Sequence, residues 1–176
     1  MVRYATECIE AGEKGGLIAS VVVIPVELAW LYGLYGETSR GIDLAERALE
    51  IAIEKMPDWK SLALGVMIRL HILMGNLDAA EKIVNTETLN PILSVVHSHY
   101  LAMITLATIE LELARNDFQK ALSLSDQLLE EISLFGWIHN PEIMNRKADA
   151  LIGLGRFNEA LQILTEARSL AEKQMP

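Results

Sequence analysis

This sequence predicts an all-α fold built from stacked helix–turn–helix repeats, and three observations carry the prediction. The first is composition. Of 176 residues, 51% are hydrophobic but only 6% aromatic. Ala, Leu, Ile and Glu dominate, a mixture that favours helices packed through aliphatic side chains. The second is a recurring turn. Gly36-Glu-Thr-Ser-Arg-Gly41, Gly75-Asn-Leu-Asp-Ala-Ala80, Asn116-Asp-Phe-Gln-Lys-Ala121 and Gly155-Arg-Phe-Asn-Glu-Ala160 start 39, 41 and 39 residues apart. Each opens on Gly or Asn, which tolerate the left-handed backbone just past a helix end. In the last three an apolar residue follows two positions on and Ala follows five positions on, so the second helix can approach the first closely. The third is periodicity. After each turn apolar residues recur at i, i+3, i+4 and i+7, as in Ala45, Ala48, Leu49, Ala52, Ile53 and Met56, or Ala160, Ile163, Leu164, Ala167 and Ala171.

Taken in order, residues 1–14 read as half a repeat. Sliding back one period of 40 lays Cys8-Ile-Glu-Ala11 over Ala48-Leu-Glu-Ile51, so this stretch is expected to be a second helix without its first. A stack that opens this way has an uncapped apolar end, which implies a longer natural protein. Four helix pairs are then expected over 17–56, 57–90, 91–136 and 137–176, making 1–176 one repeat domain. Their first helices are placed at Leu17–Tyr35, Asp58–Met74, Leu93–Arg115 and Glu142–Leu154. Pro57, Pro91 and Pro141 precede or open three of them, where proline suits a first turn. Pro25 falls inside the first and should kink it or delay its start. The run Leu17–Gly36 carries a single charge, Glu27, and is apolar enough to resemble a membrane span. Glu27 and Pro25 near its middle, and the repeat register running through it, predict a buried helix instead.

Composition also removes several chemistries. The formal net charge is −9, with 15 basic residues and no Lys/Arg run beyond Arg146–Lys147. Counterion release from nucleic acid needs a basic footprint, so no nucleic-acid partner is expected, and an anionic membrane would repel the same surface. Cys8 is the single cysteine, which leaves no internal disulfide or thiolate cage and fits a cytoplasmic setting. His97 and His99 are two apart and diverge on a helix, and His71 and His139 stand apart from them, so no metal site is expected. Gly12-Glu-Lys-Gly-Gly16 lacks the length and hydroxyl of a phosphate loop. Cys8 has no nearby His to make it a nucleophile. The pairs Glu110/Glu112 and Glu130/Glu131 diverge and read as solvated or groove-lining. No catalytic residue and no cofactor are expected.

The turns, with the small and aromatic residues around them, resemble the tetratricopeptide repeat. The first pair supplies Ala29, Tyr32, Gly36, Ala45 and Ala48, with Gly41 where the family has its first Ala. The last supplies Ala148, Leu151, Gly155, Ala160, Leu164 and Ala167. The middle pairs match only around the turn, with Ile68 and Ile109 where a small residue is expected. The spacing near 40 exceeds the family's usual period of about 34. It is similar to the longer repeats of large bacterial regulators, such as maltose-type transcription activators and proteins linked to nucleotide-cyclase domains.

The resemblance implies a right-handed α-solenoid whose first helices line a concave groove. The residue six before each turn then points into it, a row made of Trp30, Arg69, Glu110 and Asp149. These are the candidate partner-binding residues, alongside the structural turns Gly36, Gly75, Asn116 and Gly155. The plainer reading pairs Arg69 with Glu110 across repeats and puts Trp30 in the core. The implied role is a protein-interaction scaffold within a bacterial signalling or transcription-regulatory protein, holding a peptide segment or a neighbouring domain. The alternative is an inducer sensor that takes a small molecule in an aromatic-lined channel near Trp30 or Trp59. Residues 1–35, with Val21–Ile24, Leu28, Leu31 and Leu34, are expected to expose an apolar face suited to homodimer formation.

Overall fold

In a computed structural model, residues 2–86, 95–133 and 140–174 are described; they are helical apart from short turns, and no strand occurs among them. The elements are α1 (Val2–Gly15), α2 (Ile18–Leu34), α3 (Thr38–Lys55), a 3-10 turn (Pro57–Trp59), α4 (Lys60–Leu73), α5 (Leu77–Thr86), α6 (Val95–Ala114), α7 (Phe118–Ser133), α8 (Asn140–Gly153) and α9 (Phe157–Gln174). The all-α class is as expected. Packing divides the chain into two compact units, Met1–Ile104 and Thr105–Pro176. Proline behaves as expected at Pro57, which opens the 3-10 turn, and at Pro141, in the first turn of α8. Pro91 lies outside the described residues. Pro25 is buried inside α2, which already begins at Ile18, so the late start does not occur.

The four turns share one backbone solution. Gly36, Gly75 and Gly155 have φ of 82°, 72° and 73°, and Asn116 is the one non-glycine at positive φ among the described residues, at 62°. At each, the left-handed residue donates its N–H three residues back and the next residue donates five back. Gly36 thus bonds the Gly33 carbonyl at 3.0 Å and Glu37 bonds Tyr32 at 2.8 Å; Asn116 bonds Leu113 at 3.0 Å and Asp117 bonds Glu112 at 2.9 Å. These are the paired closing bonds of a Schellman end, which satisfy carbonyls a helix terminus would otherwise orphan. The same residue after the turn opens the next helix. Asn76 Oδ1 accepts from the Ala79 N–H at 3.4 Å and Asp117 Oδ1 from the Lys120 N–H at 3.1 Å. Where that residue is Glu37 or Arg156, a side-chain ion pair with Arg40 or Glu159 spans the same three positions. Gly75→Val should cost about 1 kcal/mol or more, because a β-branched residue cannot hold this φ without strain; urea unfolding of the variant checks it.

In the first unit α2 packs on α1, α3 and α4, and α4 also packs on α3 and α5. Val26, Ala29, Ala45, Ala48, Leu62, Ala63, Val66, Met67 and Leu70 form its buried core. Gly41 has a steric reason to replace the Ala found in the other turns. A Cβ there would sit 2.6 Å from the Ala29 carbonyl oxygen and 3.2 Å from a Leu70 methyl. Gly33 faces the same Leu70 side chain, and Leu70 is fully buried. In the second unit α7 packs on α8 and α8 on α9. Phe118 lays its ring over Gly153, where any Cβ would overlap it. Ser125 is fully buried and donates its hydroxyl to the Ala121 carbonyl at 2.8 Å.

Of the apolar residues expected to form a face over 1–35, those within α2 are mostly covered by the chain itself, while Leu17 and Tyr35 flanking it are exposed. Val21, Val22 and Leu28 are buried, Val23, Ile24 and Leu31 are partly buried, and of that set only Leu34 is exposed. The α2 run is a covered helix, and no described helix is long and apolar enough to cross a membrane.

Candidate functional site

The position six before each turn resolves into two local arrangements, one per unit. In the first, Trp30 on α2 is partly buried, and the Arg69 guanidinium on α4 lies 4.5 Å from the centre of its ring. Arg69 is only 8% exposed. A planar cation over an indole face keeps favourable electrostatics while shedding water, which is how this helix can bury a charge. Trp30 packs, partly buried, against the core cluster.

In the second unit the row recruits a residue that sequence reasoning missed. Arg146, on α8, donates through Nε to Glu110 Oε1 on α6 and through Nη1 to Asp149 Oδ2, each at 2.9 Å. Arg146 and Asp149 are three apart and share a helix face. Burial works against the Arg146 charge, but Glu110 and Asp149 more than offset it and hold its pKa above the usual arginine value. The Glu110 side chain is 14% exposed, Arg146 34% and Asp149 49%, so the cluster opens to solvent at its α8 end. Its signal was present in the sequence: a basic residue one helical turn before a row position, next to a row carboxylate.

Glu112 corrects the reading of the acidic pair. It diverges from Glu110 as expected but is buried at 5% exposure, and its carboxylate takes Lys120 Nζ across the turn at 2.6 Å. Glu130 and Glu131 are exposed. No group of three His, Cys, Asp or Glu among the described residues is placed to hold a metal ion. Side chains of His97, His99 and His139 fall outside the described set. Cys8 is exposed on α1. One cavity of about 380 Å³ in the first unit is lined by Ile9, Leu28, Tyr32, Arg40, Asp43, Leu44 and Arg47. Another of about 170 Å³ lies among α7, α8 and α9. Neither is lined by Trp30 or Trp59.

His71 on α4 carries a buried Nδ1 with no hydrogen-bond partner. Burial pushes its pKa below the ordinary 6.5, while Glu46 pulls the other way. A folded-state value below the unfolded one means stability that is present above pH 6.5 and lost as pH falls through the folded value. The urea midpoint should therefore fall more between pH 7 and pH 5 in the natural protein than in His71→Gln.

The tetratricopeptide-repeat family model matches residues 141–174, the α8–α9 pair. No curated protein sequence matches the chain. Among solved structures, the chain is similar to a Podosopora anserina protein described as a putative kinesin light chain with nearly identical TPR-like repeats. A single-substitution variant of that protein aligns at 15% identity over 99% of this chain and 97% of that one, with a TM-score of 0.56. The form without the substitution aligns at 14% over 99% and 96%, with a TM-score of 0.54. At such identity the likeness concerns fold alone. Tetratricopeptide repeats generally mediate protein–protein interaction or scaffolding. Four left-handed turns at one register, a last helix pair matching the repeat itself and the likeness to solved structures give this chain a TPR-like repeat fold.

Proposed function

We propose that this domain is a protein-interaction scaffold of a cytoplasmic bacterial signalling or transcription-regulatory protein, and that it holds a peptide segment or a neighbouring domain. The observation that supports this most is the Glu110–Arg146–Asp149 cluster. It joins α6 to α8 through hydrogen bonds formed before any partner arrives, and it leaves Asp149 half-exposed for a basic group of that partner. A polar site already held in place loses little side-chain freedom on binding, which favours affinity. The Trp30–Arg69 stack supports the row more than it meets a partner, since Arg69 is buried. Self-association through residues 1–35 would draw on Leu17, Leu34 and Tyr35, which are exposed.

A photo-crosslinking residue placed at position 149, and for comparison at Ser123, tests the proposal in the host cell. One discrete protein adduct at 149, absent at 123 and lost when Arg146→Glu is added, is the expected result. Equal labelling at both positions, or an adduct indifferent to Arg146→Glu, rejects the cluster as the binding surface.

A further inference from the structure

Two cavities occupy equivalent places in their repeats and are furnished differently. The larger, about 380 Å³, lies among α1, α2 and α3, and the smaller, about 170 Å³, among α7, α8 and α9. Counted from the turns at Gly36 and Gly155, both are lined at positions eight and four before the turn and four, seven and eight after it. Each is therefore a hollow bounded by one helix pair and the helix before it. A neighbouring repeat leaves such a hollow open. α4 packs on α2 and α3 yet lines none of the larger one, and α6 bonds to α8 through Glu110 while no described residue of α6 lines the smaller.

In the smaller hollow the charged groups satisfy one another. Lys147, eight before its turn, reaches Asp126 of α7 at 2.7 Å, and Arg156 holds Glu159 at 2.6 Å. The larger has buried Leu28 in the place of Lys147, and Ile9, Tyr32 and Leu44 complete an apolar lining. Three charges of α3 line the same cavity. Arg40 is already engaged: its guanidinium lies 4.3 Å from the centre of the Tyr32 ring, and its Nη1 donates to Glu37 at 3.2 Å. Asp43 and Arg47 are exposed and one helical turn apart, yet neither makes an ion pair or hydrogen bond among the described residues. An exposed pair at that spacing gains little by closing on itself, so both charges are available to a ligand.

A simple anion placed here would meet the Asp43 carboxylate, and a simple cation would meet Arg47. A ligand that carries both charges finds a partner for each. Residues four apart on a helix have Cβ atoms about 5–6 Å apart, so the two charges of the ligand must stand close together. A volume of about 380 Å³ falls within the roughly 300–1,000 Å³ of small-molecule sites, whose walls are mostly apolar with a few placed polar groups. We propose that this cavity binds a free α-amino acid with an apolar side chain. Arg47 holds the carboxylate, Asp43 holds the ammonium, and Leu28, Tyr32 and Leu44 take the side chain. The site lies in the first unit and the Glu110–Arg146–Asp149 cluster in the second, so either reading can fail alone.

Equilibrium dialysis of the full chain against L-leucine, L-methionine and L-phenylalanine tests the proposal. Saturable binding of at least one of them, at one site per chain, is expected. Isocaproate and isoamylamine, which are leucine without its amine and without its carboxylate, should compete at least tenfold less well. Arg47→Gln and Asp43→Asn should each weaken binding at least tenfold and leave the melting temperature unchanged, since both side chains are exposed. Leu28→Lys, which installs the residue of the smaller hollow, should abolish binding; a thermal melt shows whether it folds, and if it does not, the two α3 variants decide alone. No saturation by any of the three amino acids at millimolar concentration overturns the proposal, as does binding that ignores both α3 variants. Isocaproate competing as well as leucine would make the ligand a simple anion and overturn the role given to Asp43.

Discussion

Replacing Arg69 with Glu should lower the melting temperature by roughly 6–20 °C. The residue is 8% exposed and its guanidinium sits over the Trp30 ring. Reversing the charge puts a carboxylate against the negative face of an indole with almost no access to water. An uncompensated buried charge costs on the order of 3–5 kcal/mol, and a domain of this size loses about 2–4 °C per kcal/mol. Arg69→Lys keeps the cation but loses the planar stack, and should cost about 1 kcal/mol. Thermal melts followed by circular dichroism rank the three proteins. A reversal that leaves the melt unchanged would mean that Arg69 reaches solvent and serves the partner surface after all.

Gly41→Ala should destabilise by about 1–3 kcal/mol, although Ala is what the other three turns carry at this position. The new methyl would meet the Ala29 carbonyl oxygen at 2.6 Å, a contact only backbone movement can relieve. Helix propensity argues the other way, since Ala is favoured over Gly in a helix by about 1 kcal/mol. Sterics should win because the obstacle is main chain and not a mobile side-chain tip. The reverse change, Ala80→Gly, removes a methyl that fits and should cost about 1 kcal/mol from propensity alone. Urea midpoints of the two variants separate the explanations: if Gly41→Ala stabilises the protein, α2 and α3 are not held as close as they look.

The turns were the most legible part of the sequence because a left-handed residue is a local requirement, written in Gly36, Gly75, Asn116 and Gly155 whatever surrounds them. First-helix positions were legible for the same reason, being counted back from those turns. The pairing of the row was less so. Trp30 and Arg69 announced themselves as a large ring and a charge in apolar helices, but Arg146 looks like any surface arginine until α6 and α8 are brought together. Glu112 misled in the opposite direction: a carboxylate reads as solvated unless one knows that Lys120 reaches it from across the turn. An apolar face over residues 1–35 was expected because the stack opens on half a repeat; α1, α3 and α4 cover most of α2, while Leu17, Leu34 and Tyr35 stay exposed. Total hydrophobicity says how much a helix can bury, whereas which helix lacks a neighbour is a property of the packing. Exposed apolar side chains occur in both units, at Leu34, Tyr35, Leu73 and Met74 as well as at Phe157 and Leu161 on α9.

The ion pairs at the first and last turns run in opposite senses. Glu37 precedes Arg40 in one, and Arg156 precedes Glu159 in the other, on backbones with the same closing bonds and nearly the same φ. Either polarity is tolerated, because each pair sets one charge that suits the helix start against one that does not. The connectors behave as interchangeable joints: exchanging residues 37–40 with 156–159 should leave both helix pairs intact. Identity, in such a chain, resides in the faces the helices present and not in the corners that join them.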